Sequence, residues 1–186
     1  YGARTDKGPT MRRLAQASAL GYAVPGTVLA IGVMLVLGAI GEASGGAVVL
    51  GGTIFALLFA YSVRFLSLAF GTLEAGFGRI SPAMDMAARS LGTSRLATLG
   101  KIHIPLMRAP LLAAALLVFV DVMKELPATL ILRPFDFDTL ASQVYTYASV
   151  GQLEEAALPA LAIILVGLIP VAISLTLIDR SRRFSK

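Results

Sequence analysis

The chain consists largely of long runs without charged residues. Residues 14–41 and 156–178 carry no charge, and neither do residues 43–63, whose apolar pattern continues past Arg64 to residue 71. A further run, residues 110–132, is uncharged as far as residue 120. A helix needs roughly 20 apolar residues to cross about 30 Å of hydrocarbon. The pattern therefore predicts four membrane-spanning helices, at about residues 14–40, 46–71, 108–132 and 156–178.

The composition points to the same class of protein. Of the 186 residues, 56% are hydrophobic and 15% are charged, and the mean hydropathy is +0.80. Soluble domains are about 45–50% apolar and about 25% charged, so the composition argues against a soluble enzyme. We expect an all-α, polytopic bundle of transmembrane helices, with a kink at Pro25 and Gly26 in the first helix. Tyr1 stands where a Met would begin a chain, so we expect a piece of a longer protein whose N-terminal part is missing.

The charged residues separate the apolar runs and do not form one basic face. The net charge of +5 therefore does not indicate a nucleic-acid partner, and we expect a lipid bilayer around the chain. The chain has no Cys and one His, which excludes thiolate metal sites and a cluster of histidines. It also lacks a P-loop, so it cannot hydrolyse ATP by that route. We expect no catalytic residue, metal site or bound cofactor in this chain.

Basic residues are concentrated on one side of the predicted bundle. They precede the first span, occupy the connection between the second and third spans, and follow the fourth span: Arg4, Lys7, Arg12, Arg13; Arg79, Arg89, Arg95, Lys101, Arg108; Arg180, Arg182, Arg183 and Lys186. The opposite connections, about 41–46 and 133–155, contain only Arg133 as a basic residue. Because cytoplasmic loops carry the excess of Lys and Arg, both ends of the chain and the 72–109 loop are predicted to be cytoplasmic.

The 72–109 loop is long for a helix connection and contains helix signals of its own. Ser81 and Pro82 predict an N-cap and a first helical residue, Asp85 suits the positive end of the helix dipole, and Gly92 ends the helix. A second short helix is predicted from Ser94 to a stop at residue 105.

The first of these helices is amphipathic. Met84, Ala87, Ala88 and Leu91 recur at helical spacing and predict one small apolar face. The pattern alone leaves two interpretations open. The helix either lies on the membrane surface or forms a docking site for a partner protein.

A residue-level resemblance favours the docking site. Residues 86–92, Met-Ala-Ala-Arg-Ser-Leu-Gly, are followed after nine residues by Ile-His-Ile-Pro at 102–105. This pattern resembles the EAA loop of ABC importer permeases, which reads Glu-Ala-Ala, three residues, Gly, nine residues, Ile, one residue, Leu-Pro. Met86 stands in place of the Glu, which removes a charge, and Ile104 stands in place of the Leu.

The resemblance implies a type I ABC importer with the MetI-like permease fold. In that family the loop forms a coupling helix, here within about 79–105, which sits in a groove of a cytoplasmic ABC ATPase dimer that binds the ATP. Small residues allow close approach, and arginines can meet acidic groups of the ATPase. Carried over by position, the coupling residues are Met86, Ala87, Ala88, Arg89, Gly92, Arg95, Ile102 and Pro105. The family further implies a bacterial inner-membrane location, an extracytoplasmic substrate-binding protein, and a second permease half or copy.

Other segments resemble a narrower group. Residues 122–134 with 137–141, and residues 21–27 in the first span, are similar to permeases of ferric-iron importers. Thiamine, sulfate, polyamine and phosphonate permeases share parts of these patterns and remain alternatives. The resemblance extends over about residues 10–180, which implies that the chain is the C-terminal part of one transmembrane domain.

Three charged residues lie within the third predicted span. Asp121 and Lys124 can pair at i, i+3, while Asp121 and Glu125 would share a helix face at i, i+4. Lys124 follows residue 110 by about 21 Å of helix, so the charges lie nearer the outer interface than the midplane. Pro127 is expected to kink or end the helix just after them. The three residues brace a helix break, line the transport pathway or its outer gate, or ligate Fe(III) directly, and the sequence leaves these alternatives open.

Isolated polar residues have simpler interpretations. Arg64 is expected to extend to the cytoplasmic interface in preference to pairing with a buried partner such as Glu74. His103 is expected to be a contact residue beside the loop proline and not a metal ligand. Tyr145 and Tyr147 are expected to anchor the outer loop at the membrane interface.

Two other classes of protein are compatible with intramembrane charges. One is an intramembrane enzyme that uses Asp121 and Glu125 as an acid–base pair. The other is an ion-driven secondary transporter in which one of these two carboxylates carries the proton. The enzyme hypothesis does not explain the EAA-like loop, and loss of uptake on collapse of the proton gradient with ATP intact would favour the secondary transporter.

Overall fold

The computed structural model describes residues 8–10, 13 and 20–183, with side chains as far as residue 172. This part of the chain is helical and contains no strand. The principal elements are α1 (Gly26–Ala43), α2 (Ile54–Gly78), α3 (Pro82–Ser90), α4 (Arg95–Thr98), a π turn (Leu99–His103), α5 (Ile104–Leu106), α6 (Arg108–Met123), α7 (Pro127–Leu132), α8 (Leu140–Ser149) and α9 (Leu153–Arg183).

The first predicted span is interrupted where the kink was expected. Residues 20–23 are helical, Val24 and Pro25 are not, and α1 begins at Gly26. Proline has no N–H to donate and its ring clashes with the preceding turn, so the helix stops and restarts. Residues 14–19 of the prediction lie outside the described residues.

The second span begins later than predicted. Residues 46–53 are not helical, and α2 starts only at Ile54 and continues to Gly78. Gly45, Gly46 and Gly52 adopt φ values of 64°, 83° and 69°, a left-handed conformation that a helix cannot contain. Residues 46–53 are apolar enough to be the start of a span, but the backbone conformation of the glycines here makes them a connection between α1 and α2.

The third and fourth spans also differ from the prediction. The expected helix 108–132 is two helices, α6 and α7, separated by residues 124–126. Pro127 begins α7 and does not interrupt a continuous helix, as is common at the first helical position. The fourth span, α9, begins slightly earlier than expected and passes through Pro159 and Pro170.

The outer connection, predicted to be a loop, contains a helix. Helix α8 begins after Thr139, whose Oγ1 accepts a hydrogen bond from the Ser142 N–H at 3.2 Å. The Ser142 hydroxyl in turn accepts from the Thr139 N–H at 2.9 Å. This reciprocal pair is a capping box with Ser in place of the usual Glu or Gln.

Three described helices are long and apolar enough to cross a membrane: α1, α2 and residues 153–172 of α9. The segments Arg95–Leu106 and Arg108–Met123 meet the same test only as a pair, bent by 74°. The bend falls at Met107, a buried residue. Its N–H donates to the carbonyls of His103 at 2.8 Å and Ile104 at 3.2 Å.

The core is formed where α1, α2 and α7 meet. It contains large apolar side chains such as Leu57, Phe65 and Leu132 beside small ones that are fully buried: Ala30, Ala56, Ala60 and Ala128. Small residues let membrane helices approach closely, and van der Waals packing then holds them together.

Candidate functional site

The two short helices of the loop begin where the sequence predicts, and the first also ends as predicted. The Ser81 hydroxyl accepts from the Ala83 N–H at 3.3 Å, and the Ser94 hydroxyl accepts from the Ala97 N–H at 3.3 Å. Gly92 has φ +72°, a conformation that glycine adopts without strain, which ends α3.

The predicted stop at Pro105 is wrong. The chain remains helical through Pro105 to Leu106 because it widens into a π turn at Leu99–His103. A proline cannot donate to the carbonyl four residues earlier and would clash with it. The extra residue of a π turn accommodates the proline without breaking the helix.

A side-chain pair joins the two halves of the loop. Nε2 of the fully buried His103 lies 2.7 Å from Oδ1 of Asp85, and the His103 ring packs against Phe77 of α2 with 5.6 Å between ring centroids. His103 is thus a contact residue, but its partner is on α3, eighteen positions away. The pair fixes α3 to the π turn and to the end of α2.

The apolar face predicted for α3 is only partly correct. Ala88 is 3% exposed and packs within the chain, whereas Ala87 is exposed. Leu91 follows the last helical residue and is 84% exposed. Because the helix ends at Ser90, Leu91 does not continue the face to which Ala88 belongs.

The exposed part of the loop combines apolar and basic side chains. Leu96 is 81% and Met86 is 61% exposed. We call Met86, Arg89, Leu91, Arg95 and Leu96 the 86–96 surface. Of the other predicted coupling residues, Gly92 and Pro105 are exposed and Ile102 is half-buried. An ordered surface of this composition is suited to contact with a protein.

Removing the carboxylate of Asp85 should loosen this loop. We expect Asp85→Ala to cost about 2 kcal/mol, because a buried imidazole loses a hydrogen bond to a charged partner. Limited proteolysis of the membrane-embedded protein should then cleave faster within 79–106. Asp85→Asn retains an acceptor oxygen and should be cleaved more slowly than Asp85→Ala. Native cleavage rates in Asp85→Ala would contradict the role of the pair.

Arg64 does not extend to the interface, so that prediction is wrong. Its Nε lies 3.1 Å from Oε2 of Glu125, and its Nη1 donates to the Val24 carbonyl at 2.8 Å. Tyr22 and Phe65 flank the guanidinium, with ring centroids 5.8 and 6.0 Å from Cζ. The buried partner is therefore Glu125, which lies in the break between α6 and α7, and not Glu74.

The three charges of the third span separate into two groups. Asp121 pairs with Lys124 at 2.7 Å, as the i, i+3 spacing allows, and also accepts from the Tyr22 hydroxyl at 3.1 Å. Glu125 faces Arg64 instead, and its Oε1 accepts from the Ala128 N–H at 3.2 Å. The expected shared face of Asp121 and Glu125 does not form, because α6 ends at Met123. The Lys124 side chain is 61% exposed, whereas Glu125 is buried.

Sequence reasoning missed Tyr22 and the carbonyl of Val24 as members of this polar network. A further member is Thr129, whose hydroxyl donates to the Glu125 carbonyl and bonds the Tyr61 hydroxyl. The prolines at the two helix breaks, Pro25 and Pro127, were a sequence signal for this network. A helix break within a membrane leaves backbone groups that must find polar partners, and Arg64 and Glu125 are such partners.

The remaining predicted residues have simple surroundings. Tyr145 is exposed and Tyr147 half-buried on α8. Within the part of the chain that the structure describes, no three His, Cys, Asp or Glu side chains are placed to hold a metal ion. Asp121 and Glu125 each face a basic side chain instead.

Apolar helices long enough to cross a membrane, joined by a loop with exposed apolar and basic side chains, are typical of a polytopic membrane protein. The chain belongs to the family described as the binding-protein-dependent transport system inner membrane component, whose sequence model matches residues 7–184. This family consists of membrane permease subunits of ABC transporters, not enzymes, which decides against the intramembrane enzyme.

Individual relatives agree on transport and differ in substrate. The chain is 34% identical over 150 residues to the Fe(3+)-transport system permease protein FbpB 2 of Haemophilus influenzae, an alignment that covers 81% of the chain and 28% of the relative. It is 28% identical over 186 residues to the putative 2-aminoethylphosphonate transport system permease protein PhnV of Salmonella typhimurium, covering all of the chain and 63% of the relative. The chain thus spans less than two thirds of either relative.

Proposed function

We propose that this chain is the C-terminal part of a permease domain in an ATP-driven ABC importer, in which residues 79–105 dock on a cytoplasmic ATPase dimer. ATP is bound by that partner and not by this chain. An extracytoplasmic binding protein delivers the substrate, and a second permease half or copy completes the pathway. Both ends of the chain lie in the cytoplasm, consistent with the excess of basic residues on that side.

The observation that carries this proposal is the 86–96 surface. Leu91 and Leu96 are large apolar side chains held almost fully in solvent by ordered helices, and Arg89 and Arg95 are exposed beside them in sequence. Methionine and arginine side chains, which this surface also contains, are enriched at protein interfaces, and exposed apolar patches mark interaction sites. The Asp85–His103 pair ties this surface to α2, so a force applied to the loop by the ATPase reaches a membrane-spanning helix.

The exposed polar group at the end of α6 supports a role in the pathway. Asp121, Lys124 and Tyr22 form one hydrogen-bonded group, and Lys124 is largely exposed. A charged side chain on a spanning helix normally faces a water-filled cavity or another protein segment, because hydrocarbon would not solvate it. We assign Asp121 and Lys124 to the pathway or its outer gate. Glu125 is assigned to bracing the helix break.

Ferric iron is the substrate that we propose, since an Fe(3+)-transport permease shares 34% identity with the chain. 2-Aminoethylphosphonate is the second candidate, because PhnV aligns over the whole chain. Uptake of radiolabelled Fe(III) and of 2-aminoethylphosphonate by cells that carry only this transporter distinguishes the two. Phosphonate uptake without iron uptake would contradict the iron assignment.

A nucleotide-dependent crosslink tests the docking. The chain contains no Cys, so one Cys is placed at Arg89 in the full-length protein from which any other Cys has been removed. The candidate ATPase carries one Cys in its docking groove. We expect a disulfide whose yield changes on addition of ATP.

The matched control is a single Cys at Thr146, exposed on α8 in the opposite connection, which should not crosslink. Failure to crosslink at Arg89, Thr93 and Arg95, with both proteins present and folded, would contradict the proposed coupling.

A further inference from the structure

Arg64 contacts two helix interruptions that are distant in sequence. One interruption is at Val24–Pro25, before α1, and the other is at residues 124–126, between α6 and α7. Arg64 lies on the continuous helix α2 and reaches the Val24 carbonyl at the first interruption and the Glu125 carboxylate at the second. Its guanidinium thus makes a polar contact with each of the two breaks.

Arginine is suited to this task because its planar group presents several N–H donors in fixed directions. Nη1 donates a hydrogen bond to the Val24 carbonyl at 2.8 Å, while the delocalised charge forms an ion pair with Glu125, whose Oε2 lies 3.1 Å from Nε. Lysine would offer one ammonium point charge, which cannot face both partners in the same way. Glu125 completes the connection, since its Oε1 accepts from the first free N–H of α7, that of Ala128, at 3.2 Å.

The junction is closely packed. A Cβ atom added to Gly26 would lie 2.7 Å from Oε1 of Glu125 and 3.3 Å from Cβ of Pro127. The absence of a side chain at Gly26 therefore lets the start of α1 approach the start of α7. An ion pair packed this tightly fixes the position of α1 relative to α7, because its side chains cannot move without displacing their neighbours.

The link continues to the exposed polar group. Tyr22 belongs to the short helical segment 20–23, which Val24 directly follows, and its hydroxyl donates to Asp121. Holding the Val24 carbonyl therefore sets where the Tyr22 hydroxyl meets Asp121. We propose that Arg64 and Glu125 are positioning residues for transport, which hold the two helix breaks together and thereby place the Tyr22–Asp121–Lys124 group. The link to transport rests on the proposed function, whereas the structural link does not.

Hydrogen exchange in lipid nanodiscs tests the structural part without ATPase or substrate. In Arg64→Gln we expect backbone amides in residues 20–29 and 126–132 to exchange about tenfold faster or more, because the first break loses a charged hydrogen-bond donor and the second loses the ion-pair partner of Glu125. Peptides from residues 140–160 serve as the internal reference and should be unchanged. Glu74→Gln is the matched control, since it neutralises an exposed carboxylate on the same helix. Equal acceleration everywhere, or none at the breaks, would overturn the proposal.

The double variant Arg64→Gln/Glu125→Gln distinguishes two effects of the single variant: the loss of positioning, which lowers transport, and the burial of an unpaired charge, which lowers stability. It leaves no unpaired charge, so its thermal stability should recover relative to Arg64→Gln. The maximal rate of Fe(III) or 2-aminoethylphosphonate uptake, whichever the native transporter accumulates, should remain about tenfold below native, because the Val24 carbonyl is no longer held. Uptake at the native rate in the double variant would overturn the proposal. If the native transporter accumulates neither, the proposed function fails, and the exchange experiment still decides whether the pair holds the breaks.

Discussion

Replacing Leu91 by glutamate is expected to uncouple transport from ATP hydrolysis. Leu91 is almost fully exposed at the end of α3, so the substitution should leave the fold of the chain within about 0.5 kcal/mol of native. In the proposed complex the same side chain is covered by the ATPase, where a carboxylate would lose its hydration. Burying a carboxylate without a partner costs about 2 kcal/mol or more, and we expect a loss of docking free energy of that size.

The measurements are binding-protein-stimulated ATPase activity and substrate uptake in proteoliposomes. Leu91→Met, which conserves volume and hydrophobicity, is the matched control and should behave as native. Membrane insertion and melting temperature are measured for each variant. Native uptake by a correctly inserted Leu91→Glu protein would contradict docking through the 86–96 surface.

Replacing Gly21 by alanine is expected to be the most destabilising single methyl addition among the glycines that the structure describes. The new Cβ would overlap the backbone carbonyl of Val63 on α2. A backbone atom cannot rotate away as a side chain can, so the segment before the first break must move off α2. Overpacking of this kind costs about 3 kcal/mol or more.

Thermal unfolding in detergent checks this expectation. Gly32→Ala is the matched control, because nothing lies within 4 Å of a Cβ built at that position of α1. It should be neutral or stabilise the helix by up to about 1 kcal/mol. Equal melting temperatures for the two variants would show that the segment before Val24 is not packed against Val63.

The parts of the fold that could be predicted depend on neighbouring residues. The beginning of α3 at Ser81 and its end at Gly92 require one side-chain oxygen and one left-handed residue, and both are visible in a stretch of twelve positions. The apolar spans were visible for the same reason, since hydropathy is summed over adjacent residues. The late start of α2 was missed because hydropathy does not register the backbone conformation of Gly52.

The candidate site was harder to predict from the sequence than the fold, because its contacts join residues that are distant in sequence. The spacing of Asp121 and Lys124 indicates directly that they pair. For Arg64, the sequence offers several carboxylates as partners and does not identify which one it contacts. Its choice of Glu125 depends on how α2 and α7 pack, and on the break that turns Glu125 away from Asp121. The His103–Asp85 contact likewise involves the π turn, which no local sequence pattern predicts.

The bend at Met107 turns the chain from the loop into α6 with a fixed geometry. Helix α6 has 16 residues, which at 1.5 Å per residue is about 24 Å. The bend is buried, and the Met107 N–H is bonded to two carbonyls of the preceding turn, so we expect the loop and α6 to move as one rigid piece. A rigid rotation of about 10° about Met107 would move the far end of α6 by about 4 Å. That end carries Asp121, and a displacement of this size is enough to separate its carboxylate from the Tyr22 hydroxyl.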